Sequence, residues 1–541
     1  MLVDQNHSRR WLWGFAIFVA LITSLPYLVG YMNAGAEQAY SGFVIGVEDG
    51  NSYIAKMLSG TAGDWLFRTP YTAVEQKGSL AFLPYLLLGK LAGGEAVHTQ
   101  LVGLFHLFRV IGCFLFVFST FDFCRIFLED LWLQRWGTVL ATFGGGLGWL
   151  AILGLKTGGY EQLPLEFYSP ESFGFLGVFS LPHLALARAL LLWGLAGFLA
   201  PLKSKPFLQG ARAGLLWLLL GFMQPLTIVT GWAVLGASIA LRFVQIWLRR
   251  TEKGWHTDVL ADWHGRLKVA AGMVFVSSPM VLYNFLAFSL DPFLKGWSQQ
   301  NLILSPPPGD YLLAYGLVLP FAVLGAVRAW KTGRWQFSVL NAWLIVFPFL
   351  AYFPYPLQRR LPEGVWVAWI ILGLTGIEAL RRRWQKPALA VVASGMLTTL
   401  IFYVGSLWTI TSQAAPLFLP KAEVNAYAFL AENAPAFSTV LTSYKNGNSL
   451  PAWSPMRVVI GHGPESVDLA ALQPQVEAFF ASPGNDSGKI EFLTQFGVGY
   501  ILFGPDEKKQ GAWDPAKSTF LREVYAQDGY AIYQVENSPQ P

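Results

Sequence analysis

Long apolar runs dominate the pattern of hydrophobic and polar positions along about the first 411 residues. A helix of about 20 apolar residues crosses about 30 Å of hydrocarbon, so each run predicts one membrane span. Beyond about position 412, short alternating and helical patterns replace the runs. The pattern therefore predicts a polytopic α-helical membrane protein with a C-terminal α/β domain. About eleven spans are expected, roughly at 11–31, 104–127, 136–155, 181–200, 211–224, 226–248, 267–288, 311–329, 336–353, 364–380 and 387–411.

Composition agrees with this pattern, because 54% of the residues are hydrophobic and only 13% are charged. A soluble domain carries about 25% charge, so an ordinary soluble enzyme is excluded. The net charge of +5 says less than the placement of the basic residues, which cluster after every second predicted span. Cytoplasmic loops carry an excess of Lys and Arg, so we expect a multi-pass plasma-membrane protein with a cytoplasmic N-terminus. Nothing in the sequence indicates a nucleic-acid partner.

Three local features refine the predicted topology. The apolar stretch Leu80 to Leu91 is shorter than a span and predicts a helix lying against the outer surface. Gln224-Pro225 separates two spans, because proline interrupts the helical hydrogen-bond ladder. Cys113 and Cys124 lie about 16 Å apart along one predicted helix, so we expect no disulfide between them.

The chain is thus expected to contain a membrane module at 1–411, with a large first outer loop at 32–103, and an extracytoplasmic α/β domain at 412–541. Strand patterns occur at 439–443, 457–460, 498–503 and 530–535, and helical patterns near 422–432, 469–480 and 489–496. The domain has neither a G-x-G-x-x-G loop nor a His/Cys metal motif, so no chemistry is assigned to it.

Two adjacent carboxylates, Glu48 and Asp49, follow the first span and precede a helical stretch. A catalyst at the membrane surface needs a base in such a place. Asp is also a favoured helix N-cap, so Asp49 could instead cap that helix, and the two roles can coexist.

The order of short motifs along the chain resembles that of the GT-C superfamily of integral-membrane glycosyltransferases. The motifs are Glu48-Asp49, Asp49-x-Asn51-Ser52-Tyr53-x-x-Lys56-Met57, Gly144-Gly145-Gly146-Leu147-Gly148-Trp149, Leu181-Pro182-His183 and Gln358-Arg359-Arg360. The resemblance covers nearly the whole chain and implies the GT-C architecture.

The same resemblance implies a reaction and a site for it. An acidic residue of the first outer loop acts as base or metal ligand while a hydroxyl or amine attacks a polyprenyl-phosphate-linked sugar. The matching residue is Asp49, with Glu48 as its neighbour, and Tyr53 of the same motif is carried over to substrate binding. The acceptor would be a glycan, a lipid or a protein, and a divalent cation remains an open question.

A second acidic residue is implied by the resemblance near the start of the fourth span, where Glu171 precedes His183. Glu171 is therefore a catalytic candidate, and His183 is a candidate for substrate binding with a structural role as its alternative. Glu161 and Glu166 of the same loop are expected to face water.

Cations are scarce on the predicted outer side, yet Gln358, Arg359 and Arg360 lie there between two spans. A lipid-phosphate leaving group needs fixed positive charge, which these guanidiniums could supply. Lipid-headgroup contact or pairing with Glu363 is the alternative, and Arg68 is a second candidate for the phosphate. Arg188 lies inside a predicted span, near an end from which it could snorkel.

Two further function classes are compatible with parts of the sequence. A transporter or flippase of lipid-linked saccharides would need polar groups at mid-membrane and usually an inverted repeat, which the sequence does not show. A non-catalytic membrane scaffold would leave Glu48, Asp49, Arg359 and Arg360 unexplained.

Overall fold

The computed structural model describes residues 2–154, 163–248, 257–484 and 486–536. Backbone contacts divide the chain into two compact units. The helical unit comprises Met1–Leu25, Phe108–Leu286 and Leu302–Gly405, and the mixed unit comprises Pro26–Leu107, Ala287–Asn301 and Ser406–Pro541.

Helices account for most of the described residues. They are α1 (Leu2–Asn33), α2 (Val47–Thr61), α3 (Leu83–Gly89), α4 (Val97–Phe127), α5 (Leu131–Phe143), α6 (Gly148–Ile152), α7 (Gly174–Ser180), α8 (Pro182–Leu199), α9 (Pro206–Gly221), α10 (Pro225–Leu248), α11 (Thr257–Leu290), α12 (Pro292–Gln300), α13 (Pro308–Tyr315), α14 (Leu319–Thr332), α15 (Phe337–Ala351), α16 (Val365–Ala379), α17 (Arg382–Ala393), α18 (Met396–Thr411), α19 (Lys421–Asn433), α20 (Tyr444–Trp453), α21 (Leu469–Ala481), α22 (Asp486–Gln495) and α23 (Pro505–Lys508). Short 3-10 turns occur at Leu165–Phe167, Gln358–Arg360 and Pro515–Lys517.

Six helical segments of the described chain are long and apolar enough to cross a membrane. They are Ser8–Asn33, Val97–Phe127, Pro182–Leu199, Pro225–Leu248, Asp258–Leu290 and Arg382–Thr411. A seventh results if α13 and α14, bent by 82° at their junction, form one broken span. Together with the shorter apolar helices α15 and α16, these segments confirm the prediction of a polytopic helical membrane protein.

Several predicted spans are interrupted where the sequence contains helix breakers. The span expected at 136–155 ends as a helix at Phe143, because a Gly-Gly-Gly loop follows in which a side chain at Gly146 would overlap the carbonyl oxygen of Ala314. Pro225 begins α10, so the break expected after Gln224 is present. The apolar stretch at 80–91 contains only the seven-residue helix α3, about 10 Å long and too short to cross a bilayer.

The core of the helical unit is built around α16, in which every residue from Val365 to Ile377 is buried. A helix that is apolar all round has to be surrounded by other elements. It lies against α14 at two glycines, since a side chain at Gly325 would overlap the carbonyl oxygen of Leu372 and one at Gly376 that of Phe321. Small residues allow this close approach of the two backbones.

The mixed unit contains a five-stranded sheet in the order β4-β3-β5-β7-β6. The strands are β3 (Thr439–Leu441), β4 (Arg457–Val458), β5 (Val498–Phe503), β6 (Leu521–Gln527) and β7 (Tyr530–Val535). β3 is parallel to β4 and β5, whereas β7 is antiparallel to β5 and β6. Side chains of α19 and α21 belong to separate cores formed with different sheet residues. The predicted C-terminal α/β domain and its four expected strands are confirmed.

A second, two-stranded sheet joins distant parts of the mixed unit. Strand β1 (Gln38–Tyr40) pairs antiparallel with β2 (Phe418–Pro420). Neither strand was predicted from the sequence, and their pairing joins segments about 380 positions apart.

Replacing Gly325 by Ala should lower the thermal midpoint of unfolding in detergent, because the added methyl group forces α14 away from α16. The expected cost is about 1–3 kcal/mol, typical of overpacking. Gly236 of α10 is the matched control, since a side chain there meets nothing within 4 Å. Gly236→Ala should leave the midpoint unchanged or raise it, as Ala has the higher helix propensity. Equal midpoints for the two variants would contradict the close α14–α16 contact.

Candidate functional site

The carboxylate pair lies in the first turn of α2. The residue that caps this helix is Gly46, in a left-handed conformation with φ 58°, and not Asp49. The backbone N–H of Gly50 donates to the carbonyl of Gly46 at 2.8 Å, which closes the first turn around the pair. Carboxylates at this position are stabilised by the positive end of the helix dipole. Asp49 is therefore not the N-cap residue of α2.

Asp49 is held by a histidine of the C-terminal domain. The Nε2 atom of His462 lies 3.2 Å from Oδ1 of Asp49. The histidine side chain is only 5% exposed, whereas that of Asp49 is 59% exposed. The carboxylate is thus fixed by a buried ring and still accessible from solvent.

Glu48 has a partner from the same domain. The hydroxyl of Tyr444 donates to Oε2 of Glu48 at 3.3 Å and accepts from the backbone N–H of Gly463 at 3.0 Å. Burial, together with the negative charge of Glu48, raises the pKa of Tyr444 to about 12, so the phenol stays protonated. The domain to which the sequence assigned no chemistry therefore contributes two side chains to the pair. We call Glu48, Asp49, Tyr444 and His462 the acid–histidine cluster.

A buried ion pair underlies this cluster. The ammonium nitrogen of Lys56 lies 2.6 Å from Oε1 of Glu465, and the two side chains are 1% and 4% exposed. Ser52 and Thr69 donate hydroxyl hydrogen bonds to the same carboxylate at 2.6 and 2.5 Å. Burial alone would raise the pKa of Glu465, but the charges of Lys56 and His462 and these hydrogen bonds outweigh it, and the pKa is lowered.

Two other sequence candidates lie in the mixed unit. The ring of Tyr53 is stacked on that of Tyr85, with centroids 4.7 Å apart. Arg68 is bound to Asp64 through an ion pair of 3.1 Å and is 47% exposed. Tyr53 thus packs on another tyrosine of the mixed unit, and Arg68 is engaged by the nearby Asp64.

The other candidates meet in the helical unit. Arg360 lies with its Nε atom 3.7 Å from Oε1 of the buried Glu171. The guanidinium of Arg359 lies over the ring of Tyr168, 4.7 Å from its centroid. Within the described residues, the buried Nε atoms of both arginines have no hydrogen-bond partner. Gln358 accepts the backbone N–H of Ser305 at 3.3 Å and so helps to fix this turn.

Arg188 joins the two loops of this group. Its Nε donates to Oε1 of Glu363 at 2.6 Å, and its Nη2 donates to the carbonyls of Pro170 and Glu171 at 2.5 and 2.8 Å. Arg188 is buried and does not snorkel, and Glu363 is bound to it and not to the neighbouring arginine pair. Burial raises the pKa of Glu363 to about 7 although the positive charge of Arg188 opposes this shift. We call Glu171, Arg188, Arg359, Arg360 and Glu363 the arginine–glutamate cluster.

Arg188 could have been found from the sequence, because an arginine inside an apolar run marks a functional or structural site by default. Its partner could not, since 175 positions separate Arg188 from Glu363.

The remaining residues considered from the sequence are Glu166, Glu161 and His183. Glu166 is buried and accepts the backbone N–H groups of Gly146 and Gly148 at 3.0 and 2.9 Å, so the expectation that it faces water is wrong. Glu161 lies outside the described residues. His183 is buried in the first turn of α8.

The described residues contain no group of three or more His, Cys, Asp or Glu side chains that could hold a metal ion. The donor set that a divalent cation would need is not assembled around Asp49 in the residues described. We therefore derive no step through a metal.

No family model matches the sequence, and no curated protein matches it. The fold is similar to solved membrane-protein structures. The apo oligosaccharyltransferase of Archaeoglobus fulgidus superposes with a TM-score of 0.54 at 13% identity, over 91% of this chain and 69% of its own. The archaeal oligosaccharyltransferase AglB from the same organism, in complex with an inhibitory peptide and a dolichol-phosphate, gives 0.53 at 12% identity over the same shares. The mycobacterial arabinofuranosyltransferase AftD gives 0.52 at 14% identity, over 98% of this chain and 40% of its own.

Glu465→Gln should destabilise the protein by about 3–5 kcal/mol, because it leaves the Lys56 ammonium buried without a counter-charge. Adding Lys56→Met should restore part of the loss. The matched control is Asp506→Asn in the more exposed pair with Lys445, which should cost no more than about 1 kcal/mol. Thermal unfolding in detergent measures all four proteins.

The loss of stability caused by Glu465→Gln should change with pH in one direction. Because the folded-state pKa of Glu465 is lowered, its contribution is complete at neutral pH and is lost as the pH falls from about 4.3 through the folded-state pKa. The stability difference between wild type and Glu465→Gln should therefore shrink in acid. A difference that grew on acidification would contradict the ionised pair.

Proposed function

Because the chain has the GT-C fold of integral-membrane glycosyltransferases, we propose that it moves a sugar from a polyprenyl-phosphate donor to a hydroxyl or amine acceptor on the outer face of the membrane. The observation that carries this proposal is Asp49, an exposed carboxylate held in a defined position by a buried histidine. The similarity in fold to an oligosaccharyltransferase and an arabinofuranosyltransferase supports sugar transfer as the reaction class.

In this proposal Asp49 is the general base. It removes the proton from the acceptor while the acceptor atom forms a bond to the anomeric carbon. The bond from that carbon to the phosphate oxygen breaks, and its electron pair leaves with the polyprenyl phosphate. Glu48 accepts a hydrogen bond from Tyr444, and its negative charge lies beside Asp49. We therefore propose that Glu48 assists Asp49 and is not itself the base.

Arg359 and Arg360 are proposed to bind the donor phosphate. Guanidinium groups recognise phosphate oxygens through paired N–H donors, and the Nε atoms of both residues lack an acceptor within the described chain. Glu171 holds Arg360 in place, and the ring of Tyr168 supports Arg359. Arg68 is the less favoured candidate, because its ion pair with Asp64, at 3.1 Å, is closer than the 3.7 Å pair of Arg360 with Glu171.

We further propose that the N-terminus is cytoplasmic and that the C-terminal domain is extracytoplasmic. The basic clusters after alternate spans support this orientation. A glycan, a lipid or a protein would serve as the acceptor, and the donor is the lipid-linked sugar.

Asp49→Asn should abolish transfer while the protein stays folded, since the amide has the same size and cannot take up a proton. Loss of a general base costs about 10²–10⁴-fold in rate. The assay is incubation of the purified protein with labelled polyprenyl-phosphate sugars, and Glu48→Gln, the neighbouring variant, should lose less. Near-normal turnover by folded Asp49→Asn would exclude Asp49 as the base.

Arg359→Lys and Arg360→Lys should weaken donor use, since lysine keeps the charge but loses the planar pair of donors, and the Gln variants should weaken it further. Simple attraction to lipid headgroups would instead tolerate lysine and fade as the salt concentration rises. The measurement is the donor-concentration dependence of transfer at two salt concentrations, with Arg68→Gln as comparator. Full activity of Arg359→Gln and Arg360→Gln would contradict phosphate binding by these arginines and leave Arg68 as the candidate.

A further inference from the structure

His462 belongs to a short turn whose backbone is fixed from several sides. The hydroxyl of Ser466 accepts the backbone N–H groups of Gly461 and His462 at 3.0 and 3.1 Å. The N–H groups of Glu465 and Ser466 donate to the carbonyl of His462 at 2.9 and 2.8 Å. Gly461 also lies against Gly447 of α20, where an added side chain would overlap the carbonyl oxygen. The ring therefore projects from a rigid support.

Both nitrogens of this ring face carboxylates. Nε2 is 3.2 Å from Oδ1 of Asp49, and Nδ1 is 3.7 Å from Oε1 of Glu465. An ionised carboxylate only accepts hydrogen bonds, so the ring nitrogen that contacts Asp49 has to carry the proton. The contact is an N–H group of His462 that donates to Asp49.

A single hydrogen bond of this kind constrains the rotation of a carboxylate. Asp49 lies in the first turn of α2 with a side chain that is 59% exposed, and ordering an exposed side chain costs conformational entropy that a contact has to offset. A base has to be aligned with the acceptor to within a fraction of an ångström, and misplacement by about 1 Å can cost about 10²-fold in rate.

We propose that His462 is a positioning residue for Asp49: its ring N–H holds one oxygen of the carboxylate so that the group is oriented toward the acceptor. This inference rests on the proposed function for its catalytic consequence. The hydrogen bond itself is testable without any sugar transfer. The C-terminal domain thereby takes part in catalysis by orienting a residue that lies 413 positions earlier in the chain.

The kinetic test compares His462→Ala with His462→Gln. Glutamine carries an amide N–H at nearly the place of Nε2 and can hold Asp49, whereas alanine cannot. His462→Ala should lower kcat by about 10–100-fold with the donor KM nearly unchanged, and His462→Gln should recover most of kcat. His98→Gln is the matched control, because His98 is a second, partly buried histidine of the mixed unit, whose ring contacts the backbone carbonyl of Ala452 and stacks on Trp453.

A purely structural role for His462 gives a different result. Both variants would then lower the folded fraction and kcat together, glutamine would not restore kcat, and His98→Gln would behave alike. Full kcat in folded His462→Ala would equally overturn the proposal.

The second measurement is independent of activity. In protein labelled with ¹⁵N-histidine, the ring signal of His462 is the one that disappears in His462→Gln. That signal should move in Asp49→Asn, which removes the ionised acceptor, whereas the His98 signal should stay in place. An unmoved His462 signal would overturn the hydrogen bond. If wild type transferred no sugar from any donor, the proposed function would fall, and the ring signal alone would decide the contact.

Discussion

The mixed unit depends on one interaction, the ion pair of Lys56 and Glu465 beneath the acid–histidine cluster. Two opposite charges withdrawn from water are tolerated only when each satisfies the other and hydrogen bonds complete the shell. Here Ser52 and Thr69 complete the shell of the carboxylate, and aromatic rings such as that of Phe82 surround the ammonium group. The pair fixes α2 to the turn that carries His462, so the position of Asp49 relative to that ring follows from it.

The helical unit also contains a buried ion pair whose remaining donors are hydrogen-bonded. Arg188 and Glu363 are both buried, and the remaining donors of the guanidinium bind backbone carbonyls of the loop that contains Glu171. In each unit a buried pair fixes neighbouring segments to each other. A more exposed charged group lies on one of these segments, Asp49 in the first turn of α2 and Arg360 in the 3-10 turn Gln358–Arg360. Rigid supports of this kind suit groups that have to meet a substrate in one orientation.

Site residues and strands could be predicted from the sequence where neighbouring residues alone form a recognisable pattern. A carboxylate pair in the first loop beyond the first apolar run marks Asp49, and adjacent arginines between two runs mark Arg359 and Arg360. Strand-like runs mark four of the five strands of the larger sheet. The partners of these residues could not be predicted from the sequence. His462, the partner of Asp49, lies in an irregular turn far along the chain, and no local pattern distinguishes it from other histidines. The expectation that Glu166 faces water is wrong for the same reason. Its surroundings are backbone N–H groups of a glycine loop about 20 residues away, and composition does not reveal them.

The two-stranded sheet of β1 and β2 has a consequence for biosynthesis. Residues 38–40 emerge from the ribosome before their partners at 418–420, which follow only after the apolar helices between them have been made. The chain is extended at about 5–20 residues per second, so the first strand waits unpaired for tens of seconds. During that interval its backbone donors and acceptors are open to foreign strands. A strand only three residues long offers few backbone groups for such strands to pair with.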